Sequence, residues 1–166
     1  IKLKFQGVIL ASSDIDISAL EQNLSTARVG HRLHYFSQID STNEEIQRRL
    51  TADLPEGIVI IADSQTHGKG RQGRSWHSEP GVGLYLSTLL KPDLPPEKLS
   101  CITLMAGVAT ASAIQQQTSA PVRLKWPNDI LINGKKLAGI LCECIPQSGN
   151  RPAIIIGIGI NLNHSH

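Results

Sequence analysis

Little in this chain is set aside for binding a structural metal, crossing a membrane or coating a polyanion. Its three cysteines, Cys101, Cys142 and Cys144, leave one thiol without a mate and lack metal-ligand spacing. Cys142 and Cys144 alternate along an apparent strand and are expected to share one face as small buried hydrophobes. Such thiols fit a reducing compartment, so a cytoplasmic location is expected. The six histidines do not cluster, apart from His164 and His166 in what reads as a ragged tail. No apolar run is expected to span a bilayer, and no secretory signal opens the sequence. A formal net charge of +2 is too small to argue for nucleic acid; the cations are local, which favours a small anionic ligand. There is no internal repeat or low-complexity segment, and no initiator methionine precedes Ile1. The chain is therefore expected to be a piece of a longer protein.

What is present is an ordinary globular composition, 40% hydrophobic over 166 residues, enough for one domain with its own core. Residues 1–10 read as an apolar strand, and Ser18 with Glu21 predicts a helix over 18–27. A strand from His34 to Ile39 leads into a capping box, Ser41 with Glu44, whose helix carries Ile46 and Leu50 on one stripe. Residues 57–62 and 84–90 read as strands. A helix over 97–117 is expected to face the core with Cys101, Leu104, Met105, Val108 and Ala111. A strand over 122–126 precedes Asn133-Gly134, the strongest short-range hairpin signal available, between apolar runs; residues 153–161 make a last strand. Hairpins mixed with a few helices predict an α+β fold: a mixed, largely antiparallel sheet with helices on one face.

Chemistry concentrates in two stretches. Gly68-Lys69-Gly70-Arg71-Gln72-Gly73-Arg74-Ser75-Trp76 combines close-approach glycines, three cations and an indole, suited to wrapping an anionic ligand with a flat ring. Lys125-Trp126-Pro127-Asn128-Asp129 ends in an amide beside a carboxylate, suited to a metal ion or a ribose. The GxGxxG spacing is not a dinucleotide fingerprint, because Pro80 and Gly81 break the chain before a helix can open on the loop. A kinase-type loop would need a lysine on the next strand and an HRD-like segment, and the sequence has neither.

In order along the chain, Asp40-Ser41-Thr42-Asn43 resembles the DSTN of the biotin protein ligases, with Gln65 at its expected place before the glycine loop. Residues 68–76 resemble GRGRxGRxW, residues 125–129 are identical to KWPND, Lys136-Leu137-Ala138-Gly139-Ile140-Leu141 with Glu143 resembles KLAGILxE, and residues 157–161 resemble GxGIN. Matches in register over residues 40–161 make coincidence a poor explanation. The resemblance implies the catalytic fold shared with class II aminoacyl-tRNA synthetases. It also implies ATP-dependent activation of biotin to biotinyl-5′-AMP, then transfer to a lysine of the biotin carboxyl carrier domain of acetyl-CoA carboxylase. By the same matching, Lys136 and Arg71 are catalytic. Ser41, Thr42, Asn43, Gln65, Lys69, Gly70, Arg71, Lys136 and Gly139 bind biotin. Arg71, Arg74, Trp76, Asn128, Lys136 and Asn161 bind ATP or the adenylate, and Asp129 holds Mg²⁺.

Each residue also has a plain structural reading: Ser41 as a helix cap, Trp76 and Trp126 as core aromatics, Arg74 as a solvated cation, Asp129 as turn chemistry. Lys69 departs from the family's usual arginine, keeping charge without the planar fork. The expected division is residues 1–33 as a linker or remnant of an upstream DNA-binding domain, and 34–166 as a catalytic core incomplete at its C-terminus. An additional biotin-operon repressor role, and DNA binding with it, would require that upstream domain in the full-length protein. A homodimer is an open expectation, no membrane partner is expected, and a lipoate or octanoyl ligase or transferase of the same fold is the alternative activity.

Overall fold

The computed structural model describes residues 15–51, 53–118, 121–147 and 151–163. The strand expected over 1–10 and the histidine tail lie outside them. Seven strands form one sheet in the order β1-β2-β3-β7-β6-β5-β4. These are β1 (Arg32–Phe36), β2 (Ile58–Ala62), β3 (Gly83–Leu90), β4 (Val122–Lys125), β5 (Asp129–Ile132), β6 (Lys135–Ile145) and β7 (Ala153–Asn161). The β1–β2 pair is parallel and the other neighbours are antiparallel, so the α+β class and the largely antiparallel sheet are as expected.

Side-chain parity along β7 decides where the helices sit. Ile154 and Ile156 pack with Ile102 of α3 (Cys101–Gln117), whereas Ala153 and Ile155 pack with Ile46 of α2 (Thr42–Arg49). Successive strand residues point to opposite faces, so α2 and α3 cover opposite sides of the sheet rather than one side only. Gly157 and Gly159 continue the α2 side, and a cleft opens there.

Local signals explain most elements. β2 is buried along its whole length, as an uninterrupted Ile-Val-Ile-Ile-Ala run should be in a central strand. Asn133 and Gly134 both have positive φ, 49° and 75°, the geometry of the two-residue turn that joins β5 to β6. α1 (Ile17–Asn23) starts earlier than expected: Asp16, not Ser18, caps it, accepting from the Ala19 N–H at 2.9 Å.

Two other expectations are corrected. α3 turns Ile102, Gly107, Thr110 and Ile114 inward, leaving Leu104, Met105 and Val108 exposed at 45%, 64% and 52%. The helix is apolar nearly all round, so periodicity could not choose its face; its small residues bring it close to the sheet. Residues Pro96–Gln117 are also long and apolar enough, by length and composition, to cross a membrane, yet here this stretch covers the sheet. Finally, Cys144 is exposed and Cys142 only half-buried, its thiol pushed up by burial.

Candidate functional site

The cleft on the α2 side has a floor, a back wall and a lid. Its floor is the register pair Gly139↔Gly159 on β6 and β7. The Trp76 indole lies flat on this pair, so close that a Cβ at Gly139 or Gly159 would come within 2.8 or 2.5 Å of ring atoms. Only glycine leaves that space. The lid is the segment containing Trp76, folded as a small hairpin by Trp76 N–H to Gly68 O (2.7 Å) and Gly70 N–H to Arg74 O (2.6 Å). Gln72 at φ 58° and Gly73 at φ 72° turn its tip. The glycine-rich loop therefore closes on itself and opens no helix.

The back wall is the start of α2. Ser41 occupies the N-cap position without a side-chain cap bond, and Glu44 reaches away to Lys69, so the expected capping box is not formed. Asp40 does the local work: its Oδ1 accepts the Ser41 N–H at 2.7 Å, and its carboxylate is gripped by Arg48 at 2.6 and 2.9 Å. The hydrogen bonds from Arg48 hold its carboxyl well below the ordinary range, at about 2. Freed from capping, buried Ser41, Thr42 and Asn43 line the cleft.

Gln65 is fixed from both ends. Its Oε1 accepts the Thr42 N–H at 2.8 Å, and its Nε2 donates to Ser78 Oγ at 2.9 Å. Beneath these, fully buried Ser87 of β3 lies 2.7 Å from Thr42 Oγ1 and 2.5 Å from Asn43 Oδ1. Asn43 Nδ2 donates to Glu143 Oε2 at 2.6 Å.

Lys136 reaches the cleft through a sheet irregularity. Ile130 opposes Ala138 but Leu131 opposes Lys136, so β6 carries one extra residue, Leu137. Such a bulge re-aims the neighbouring side chain. Leu137 and Ala138 both join the α3-side core, and Lys136 passes to the opposite face with Gly139. Its Nζ stands 5.1 Å from the Trp76 ring centroid and 2.8 Å from Asp129 Oδ1. Arg71 Nη1 donates to Asn128 Oδ1 at 3.2 Å, which ties the lid to the KWPND turn. Asn128 is itself locked to β6, accepting from the Ile140 N–H and donating to the Ile140 carbonyl, each at 2.9 Å.

Of the sequence candidates, Ser41, Thr42, Asn43, Gln65, Lys69, Gly70, Arg71, Trp76, Asn128, Lys136 and Gly139 line this one cleft. Asp129 stands behind Lys136. Asn161 is joined through its bond to the Lys136 carbonyl at 3.2 Å. Arg74 points away to Gln72. The Lys69 ammonium pairs with Glu44 and stands 4.0 Å from Glu143. Ser87 and Ser78 carry no motif in the sequence; the polar Ser87-Thr88 pair inside an otherwise apolar strand is the one local signal for Ser87.

A family model described as the biotin/lipoate A/B protein ligase family matches residues 35–161. The chain belongs to this family. The bifunctional ligase/repressor BirA of Bacillus subtilis is 41% identical over 146 residues, which cover 88% of this chain and 45% of that protein. The biotin–[acetyl-CoA-carboxylase] ligase of Mycobacterium tuberculosis is 34% identical over 91% of this chain and 57% of its own. Among solved structures, the biotin protein ligase of Aquifex aeolicus in complex with biotin and ATP superposes with a TM-score of 0.67 and 37% identity. It covers 81% of this chain and 54% of that one. The chain spans about half the length of the curated relatives it matches. Each family motif noted in the sequence places at least one residue on the floor, wall or lid of the cleft, or directly behind Lys136.

Proposed function

We propose that the protein is an ATP-dependent biotin protein ligase. The observation that carries this reading is the convergence of Arg71 and Lys136, from the lid and the β6 bulge, on one cleft beside the KWPND turn. Joining a carboxylate to an anionic phosphate requires like charges to approach. Cations held at the junction offset that repulsion. Relatives named as biotin–[acetyl-CoA-carboxylase] ligases support the choice of acyl ligand.

In the proposed first step, a biotin carboxylate oxygen bonds to the α-phosphorus of ATP and pyrophosphate leaves. Lys136 lets go of Asp129 to hold the reacting oxygens, and Arg71 bridges carboxylate and phosphate while Asn128 fixes its fork. In the second step a lysine amine of the carrier domain attacks the acyl carbon and AMP departs. Thr42, Gln65 and Ser41 supply polar partners for the ring of biotin, and Trp76 walls its chain or the nucleotide. Asp129 offers one carboxylate to Mg²⁺. That suits an ion bound by one or two carboxylates plus substrate phosphates, since no group of three or more metal-type side chains occurs among the described residues. When bound, the ion would neutralise triphosphate charge.

Incubation of the whole protein with labelled biotin, ATP and an isolated carboxyl carrier domain tests this. Transfer of label that requires ATP is expected. Transfer of lipoate in preference to biotin would replace this reading with its alternative.

A further inference from the structure

The hydrogen bonds under the cleft run in one direction, and that direction sets what the cleft accepts. At one end Glu143 is a carboxylate, able only to accept, so the Asn43 amide must turn Nδ2 toward it at 2.6 Å. Asn43 Oδ1 then faces Ser87 at 2.5 Å and can only accept. Ser87 has a single hydroxyl proton and commits it there. Its contact with Thr42 Oγ1, 2.7 Å, is then one in which Thr42 donates. Ser87 is fully buried, so no water competes for its lone pairs. The rival acceptor for the Thr42 proton, Gln65 Oε1, is farther away at 3.1 Å and already takes the Thr42 N–H.

We infer that Glu143, Asn43 and Ser87 form a polarity relay that makes Thr42 Oγ1 an obligate acceptor on the cleft wall, selecting acyl ligands whose ring presents an N–H. The inference rests on the biotin ligase reading and deepens it. A cyclic urea satisfies Thr42, whereas a dithiolane or a plain alkyl chain leaves a buried oxygen without a donor. Sites built to bond a ligand N–H reject analogues lacking it far more strongly than apolar pockets reject a change of size. Ser87 is a positioning residue in this scheme: it acts through Thr42 and does not touch the ligand.

The test compares, by calorimetry on the whole protein, the affinities for biotin and for the two cyclic carbamates in which one ring N–H is replaced by oxygen. The wild type should prefer biotin over one carbamate by about tenfold or more. Ser87→Ala removes the nearer acceptor and leaves the Thr42 proton only Gln65 Oε1, 3.1 Å away and already engaged by the Thr42 N–H, so the hydroxyl can turn toward the ring oxygen and that preference should fall severalfold, mainly through tighter carbamate binding. Glu143→Gln keeps the shape but removes the fixed polarity and should act in the same way, which covers a folding failure in the alanine variant. In a Thr42→Val background, where the preference is already lost, Ser87→Ala should change it no further. Equal weakening of both ligands in Ser87→Ala, or an undiminished preference in Glu143→Gln, overturns the relay. A wild type that binds biotin equally well with either carbamate overturns the relay alone. A wild type that binds no biotin overturns the function reading and the relay with it.

Discussion

Lys136 and Asp40 are the two residues whose placement matters most, and neither placement follows from strict alternation or capping rules. Without the extra residue at Leu137, Lys136 would share a face with Ala138 and point at α3. With it, the ammonium stands over Trp76 and beside Asp129. Lys136→Ala should slow biotin-dependent pyrophosphate release by about 10²–10³-fold, the usual cost of removing one well-aimed electrostatic group. The melting temperature should barely move, because the side chain is 42% exposed. A rate within a few-fold of wild type would remove Lys136 from the chemistry. Asp40 instead holds the α2 start in place. Its folded-state carboxyl sits at about 2 against an ordinary 3.8, so its stabilisation is present above the ordinary value and fades as the pH falls toward 2. The pair is solvent-screened, so Asp40→Asn should cost at most about 1 kcal/mol near neutral pH. Urea titrations should show that gap closing as the solution is acidified through this window.

At the scale of elements, the site depends on two flat strands meeting one short helix. The glycine pair on β6 and β7 forms a floor only while both positions lack a Cβ. Gly159→Ala should push the Trp76 indole off the floor, read as a shift in its emission when residues 1–166 carry Trp126→Phe and Trp76 is their one indole. Unchanged emission would contradict the stacked geometry. The sequence made much of this legible. The Asn133-Gly134 turn, the continuous β2 run and the DSTN, KWPND and GxGIN motifs each carry a local physical signature, and the cleft assembles where those signatures predict polar or glycine positions. Other features were not legible, because they are decided by tertiary packing. A bulge at Leu137 leaves no compositional mark, the Ser41–Glu44 pair matches a capping box yet serves the cleft and the lid, and Ser87 declares its role only when Thr42 and Asn43 arrive from a distant segment.

For the whole molecule, α2 and α3 lie on opposite faces of the sheet, each over its own core, and the cleft opens on the α2 face. α3 bears the misjudged face. Its uniform apolarity hid the inward row, and Leu104, Met105 and Val108 now form an exposed strip continued by Leu124 and Trp126. Replacing Val108 by threonine should therefore change stability by no more than about 0.5 kcal/mol. Ile114→Ala, which empties a site packed against β5 and β6, should cost about 2–4 kcal/mol in chemical denaturation. The reverse order would mean that α3 lies the other way round. The proposed chemistry depends on cations from the lid and the β6 bulge joining two anionic reactants in the cleft between them. Its most direct test is pyrophosphate release by the whole protein given biotin and ATP without any carrier domain. A release of pyrophosphate that needs biotin, matches the active sites in its first turnover and nearly vanishes in the Lys136→Ala variant is predicted. Release that ignores biotin, or none at all from protein shown to bind both ligands, would contradict it.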